Sequence, residues 1–159
     1  GGTQLINKRF KDVTKIYPEL SQMHKCAKQR CIIDGELVAF KDGRPDFATL
    51  MQRSLLADPF KIALKSKKIT VHFAAFDILF IKDEDITGLP LLKRKEILQE
   101  NIREDGLLTL TRYVRGNGIK YFELAKNQKL EGVIAKHIDS IYQAGKRSDS
   151  WFKIKNMAA

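Results

Sequence analysis

Ile69-Thr70-Val71-His72-Phe73-Ala74-Ala75-Phe76-Asp77-Ile78-Leu79-Phe80-Ile81 is the most apolar run in the sequence. Its β-branched and aromatic side chains pack well on a pleated surface, so the run predicts a central, buried strand. One charge interrupts it. A carboxylate such as Asp77 inside an apolar strand is costly unless it is ion-paired, hydrogen-bonded or bound to metal. Beside it, Phe76 is either ordinary core or a ring on which a nucleobase stacks.

Working outward, Cys31–Phe40 (CIIDGELVAF) predicts a second strand. Regular alternation puts Ile32, Asp34, Glu36 and Val38 on one face. Asp34 and Glu36 then point the same way and flank Gly35, a position where backbone can come close to a ligand. A solvated acidic edge is the plainer reading. The turn Lys41-Asp42-Gly43-Arg44-Pro45 leads to Asp46, a predicted N-cap for a helix through Leu50 and Leu55. Residues 57–68 are polar, lysine-rich and without clear period, which predicts a mobile loop. Near the N-terminus, Pro18 is expected to open a short helix through Leu20, Met23 and Ala27.

Downstream, Pro90 opens a predicted helix through Leu92, Ile97 and Leu98, with Lys93, Arg94 and Lys95 on or near its outer face. A strand at 107–114, a helix at 118–129 and strands near 131–137 and 150–155 follow. The last two are separated by the polar turn Ala144-Gly145-Lys146-Arg147-Ser148. Strands and helices alternate irregularly, with hairpin-like turns between several strands. The pattern predicts an α+β domain of mainly antiparallel sheets flanked by helices, not a doubly wound parallel sheet.

The 159 residues suffice for one domain with a real core. Hydrophobic residues at 43% exclude a disordered chain. Lys and Arg number 29 against 19 acidic residues, a net charge of +10, which favours a polyanionic partner: nucleic acid, nucleotide or anionic membrane. No apolar run is long enough to cross a membrane as a helix, and no signal peptide is visible. The sequence has no initiator Met, so a processed or excised piece is expected. Cys26 and Cys31 make no disulfide framework and read as reduced residues of a cytoplasmic protein. His24, His72 and His137 lack partners at metal-ligand spacing. No P-loop or nucleophile elbow occurs.

Two further segments hold candidate chemistry. Glu131-Gly132-Val133-Ile134-Ala135-Lys136 begins with a carboxylate at the mouth of a strand. In Trp151-Phe152-Lys153-Ile154-Lys155, alternation puts Trp151, Lys153 and Lys155 on one face. Two neighbouring ammonium groups repel, so they either face water or share an anion, and a triphosphate would satisfy both.

In order, IDGELVAF, FAAFDILF, LEGVIAK and SWFKIK resemble the later collinear motifs of the ATP-dependent DNA ligases, closest to the ligase domain of bacterial end-joining ligases of the ligase D type. The linkers GRPDFATLMQRS, LPLLKRKEIL and AGKRSDSWFKIK match as well. The resemblance implies a fold like the ATP-grasp-like nucleotidyltransferase domain of DNA ligases and capping enzymes. It implies ATP as AMP donor, Mg2+ or Mn2+ as metal and nicked duplex DNA as partner, in a soluble bacterial protein of the cytoplasm and nucleoid. By this resemblance Glu36 contacts the ribose and supports the metal site, Phe76 stacks on adenine, and Glu131 binds metal. Lys153 and Lys155 engage the nucleotide phosphates. Carboxylates that hold a divalent cation, together with lysines, suit the charge that develops on the α-phosphate and the departing pyrophosphate.

The family's nucleophile is the lysine of a K-x-D-G motif, and no K-x-D-G occurs here. The following S-R-N-G-type motif and the downstream OB-fold domain are also missing. Residues 1–159 therefore read as a partial adenylation domain, expected to be inactive alone. Two alternatives stay open: a piece of an RNA ligase or capping nucleotidyltransferase, and a non-catalytic basic nucleic-acid-binding module.

Overall fold

A computed structural model describes residues 1–157. The apolar run forms β3 (Val71–Ile81), at the centre of a five-stranded sheet. β1 (Cys31–Lys41) pairs antiparallel with β3 and, at its far end, with the short β2 (Arg44–Pro45). The short β4 (Glu84–Asp85) pairs antiparallel with β3, and β5 (Leu108–Leu110) joins β3 in parallel. β6 (Gly132–Lys136) and β7 (Trp151–Lys155) form a separate antiparallel sheet. The predicted α+β class with mainly antiparallel sheets is observed. The strand expected over 107–114 is shorter, at three residues.

Among the described residues four α-helices pack with these sheets: α1 (Phe47–Ser54), α2 (Pro59–Lys68), α3 (Leu91–Asn101) and α4 (Gly118–Asn127). Asp46 caps α1 as predicted, accepting from the Thr49 N–H at 2.7 Å. The predicted mobile loop at 57–68 is instead α2. Asp58 accepts from the Lys61 N–H at 2.8 Å, and Pro59 sits in the first turn, where its missing N–H costs nothing. The helical period was faint because Ile62 is the one buried residue of that helix.

The helix expected from Pro18 is also corrected. Residues 14–26 form three successive 3-10 turns, Thr14–Ile16, Pro18–Leu20 and Met23–Cys26. Tyr17, Leu20, Met23 and Cys26 recur every three residues, the period of a 3-10 helix, and all but Met23 are buried. Two apolar clusters result. Cys26, Ala75, Ile78 and Leu98 anchor one, while Leu5, Tyr17, Leu20 and Val71 anchor the other. Fully buried Arg53 ties α1 to the turns, donating to both Glu19 carboxylate oxygens (2.6 and 3.0 Å) and to the carbonyls of Ile16 and Ile69.

Candidate nucleotide site

The β1–β3 ladder slips twice, between Ile32 and Ile33 and between Asp34 and Gly35, so it skips Leu79 and Phe76 on β3. An extra residue in one strand re-aims its side chains. Among the described residues Phe76 belongs to neither apolar cluster, although its neighbours Ala75 and Ile78 do. Its ring faces an ammonium. Lys136 Nζ lies 4.5 Å from the Phe76 ring centre and 3.7 Å from that of Trp151. Lys136 therefore bridges the main sheet and the β6–β7 hairpin by two cation–π contacts. Burial is the main cause that pulls its pKa down to about 8, with Lys95 and Arg94 adding and Asp77 and Asp34 opposing.

Cross-strand partners in the hairpin are Gly132 with Lys155, Ile134 with Lys153, and Lys136 with Trp151. Opposed residues share a face, so Ile134, Lys136, Trp151, Lys153 and Lys155 line one surface. The predicted sharing of a face by Trp151, Lys153 and Lys155 holds. Gly132, with φ of 151°, starts the hairpin where a Cβ would run into the Ile154 carbonyl. Just before it, Glu131 is 78% exposed and accepts a hydrogen bond of 2.5 Å from Lys153 Nζ. That bond, and then the Lys153 charge, hold its carboxyl below the usual range. Glu131 and Lys153 are thus together, with Lys155 close enough to act on the same carboxylate.

The other predicted groups fall differently. Asp77 is fully buried and ion-paired. Arg94, itself fully buried, donates to its two oxygens at 2.8 and 3.0 Å, and also to the carbonyls of Leu89 and Ser140. The expected outer-face position of Arg94 and Lys95 is overturned, because the buried Asp77 carboxylate draws the α3 cation inward. Lys95 lies 5.2 Å from the Tyr113 ring centre.

On β1, Ile33 and Leu37 pack on the apolar clusters, so Asp34 and Glu36 share the other face as predicted, but they make different contacts. Asp34 accepts a 2.5 Å hydrogen bond from the Tyr142 hydroxyl, while Glu36 is exposed opposite Ala74. Burial, then this bond, raise the Tyr142 pKa. Gly35 is required by packing, since a Cβ there would lie 2.5 Å from the Ala74 carbonyl and 2.6 Å from the Phe73 ring. No ligand approach is needed to explain it.

Among the described residues no three His, Cys, Asp or Glu gather as a metal cluster. Magnesium commonly takes one or two carboxylates plus phosphate oxygens and water. An exposed Glu131 beside a lysine-bearing face fits that pattern.

Lys136 and Tyr142 were not singled out from sequence. The signal for Lys136 was present, since it alternates with Ile134 and Gly132 on the strand whose partner carries Lys153. Tyr142 had no local signal. Its role depends on Asp34, 108 positions away.

Comparison with known proteins agrees with this geometry. The family described as "ATP dependent DNA ligase domain" matches residues 1–155. The SPbeta prophage-derived DNA ligase-like protein LigB of Bacillus subtilis is 30% identical over 154 residues, covering 96% of this chain and 53% of that protein. The multifunctional non-homologous end joining protein LigD of Mycolicibacterium smegmatis is 31% identical over 157 residues, covering 98% of this chain and 19% of that protein. The structure of a mycobacterial DNA ligase D complexed with ATP and MES superposes with a TM-score of 0.76 at 30% identity, covering 96% of this chain and 47% of that one. The chain thus spans about half, or less, of the proteins it matches. The family match, the mainly antiparallel fold and the lysine-bearing hairpin facing Phe76 agree: this chain belongs to the ATP-dependent DNA ligase domain family.

Proposed function

We propose that residues 1–159 are the greater part of the adenylation domain of an ATP-dependent DNA ligase that seals 5′-phosphate/3′-hydroxyl nicks in repair or end joining. One observation carries this reading. Lys136 lies between the rings of Phe76 and Trp151, so the Phe76 ring meets the hairpin face that bears Lys153 and Lys155. Adenine stacks on Phe76, where it competes with the Lys136 ammonium for the ring. The triphosphate lies against Lys153 and Lys155, whose charges stabilise the α-phosphate and the departing pyrophosphate.

Glu131 and Glu36 are the proposed holders of a divalent cation, Mg2+ or Mn2+, which would supply further charge stabilisation at the phosphates. Lys153, which now donates to Glu131, would be free to donate to a phosphate oxygen once that carboxylate held a cation. Glu36 also reaches the ribose. The nucleophilic lysine is contributed from outside these residues, because no K-x-D-G occurs among them. Nicked duplex DNA is the acceptor of AMP, which puts the protein with the bacterial nucleoid. The net charge of +10 and the likeness to DNA ligase and end-joining proteins support that partner.

The test is sealing by the longer protein containing this sequence, on nicked DNA and nicked RNA in magnesium. Sealing of DNA through a lysyl-AMP intermediate is expected. Sealing of RNA alone would replace this reading with an RNA ligase, and sealing of neither would remove it.

A further inference from the structure

α2 lies on elements other than those of the nucleotide cleft, and neither its charge nor its exposed apolar groups take part in the chemistry above. Its sequence, Pro59-Phe60-Lys61-Ile62-Ala63-Leu64-Lys65-Ser66-Lys67-Lys68, has four lysines and no carboxylate. Asp58, just before it, is engaged in capping the Lys61 N–H. Ile62 anchors the helix inward. On the outer side Lys61, Lys65 and Lys68 follow at helical spacing, and their alkyl stems, with Leu56 and Leu64, line an apolar groove of about 220 Å³ that leaves the ammonium groups at its edge, that of Lys65 donating to Gln52 at 3.4 Å. Leu64 is 49% exposed.

We propose that this groove is a docking surface for the sugar–phosphate backbone of duplex DNA, a contact that rests on the DNA-ligase reading but lies outside the nucleotide cleft. The dimensions fit. Lys61 to Lys68 spans about 10 Å of helix axis at about 1.5 Å per residue. Phosphates of one DNA strand recur about every 3.4 Å along the duplex axis, so the span of the three lysines covers about three intervals, a run of about four phosphates. The two leucines offer an apolar floor suited to deoxyribose. The groove has no group set to read base edges, so the contact is independent of sequence. Duplex DNA is favoured over an anionic membrane surface because α2 has ten residues and two exposed large apolar side chains, Phe60 and Leu64, less apolar face than an interfacial helix buries.

The experiment compares the chain with K61Q/K65Q/K68Q and with a control, K8Q/K11Q/K15Q, which removes the same charge from exposed positions near the N-terminus. Glutamine keeps helix propensity, and circular dichroism verifies the fold of each variant. Duplex DNA affinity is measured by fluorescence anisotropy between about 50 and 200 mM salt, with phosphatidylserine vesicles as a parallel probe.

Three lost phosphate contacts are expected to lower the slope of log affinity against log salt by about 3 in the α2 variant, with a much smaller change in the control. Equal changes in both variants, or no change in the α2 variant, would overturn the assignment while leaving the DNA-ligase reading intact. Loss of vesicle binding with an unchanged DNA slope would overturn it in favour of a membrane contact. No duplex binding by the unmodified chain would refute it together with DNA as the partner of this domain.

Discussion

Asp77→Ala is expected to destabilise the domain by about 3–5 kcal/mol, the range for removing one partner of a buried ion pair. The structure explains why this case belongs in that range. Both side chains are fully buried, and Asp77 supplies two of the four acceptors that Arg94 uses. Without it the guanidinium keeps only the Leu89 and Ser140 carbonyls, and its charge has no counter-ion at bonding distance. The loss is a large part of the ~5–15 kcal/mol stability of a typical domain, and corresponds to a melting shift of about 6–20 °C. Asp77→Asn keeps one acceptor oxygen and should fall between wild type and alanine. Asp77→Leu combined with Arg94→Met removes both charges and should recover most of the loss, since buried pairs are often replaceable by apolar groups. Urea unfolding followed by circular dichroism measures all four proteins. A loss below about 1 kcal/mol for Asp77→Ala with an unchanged m-value, or a double variant no more stable than the single one, would refute the argument.

The cleft makes further predictions. Phe76→Ala should weaken ATP binding about 5- to 150-fold, the equivalent of ~1–3 kcal/mol of base stacking; an unchanged affinity by calorimetry would return Phe76 to ordinary packing. Glu131→Ala in the longer protein should cripple magnesium-dependent sealing without moving the melting temperature, since Glu131 is mostly exposed; a folded variant that seals normally would remove the metal assignment. Lys136, with its folded pKa lowered to about 8 from 10.5, sheds its proton before the unfolded chain does. Its contribution to stability therefore rises as pH climbs from about 8 to about 10.5, and Lys136→Met should flatten that rise in pH-dependent unfolding. These residues alone should form no covalent adenylate, because the family's K-x-D-G lysine is not among them; an acid-stable AMP on any lysine, Lys136 with its lowered pKa included, seen by mass spectrometry after incubation with labelled ATP and magnesium, would contradict this.

Local pattern alone determined much of this protein. The apolar run 69–81, the Asp46 cap and the alternation of Trp151, Lys153 and Lys155 depend on near neighbours in the chain, and all were legible. So were the antiparallel α+β class and the family motifs. The sequence also posed the problem of Asp77 without solving it. Its counter-ion comes from α3, and the buried position of Arg94 could not be read from a helix face that looks uniformly basic. α2 was misread because a helix that buries one side chain leaves almost no period. The two turns from Pro18 to Cys26 were misread as one helix because a period of three is close to 3.6. Only the tertiary structure decided that two slips in the β1–β3 ladder leave Leu79 and Phe76 without partners on β1. It also brought Lys136 between two rings from different sheets. Side-chain alternation is a local property of extended backbone, but register and charge pairing are set by whichever distant groups must be buried together.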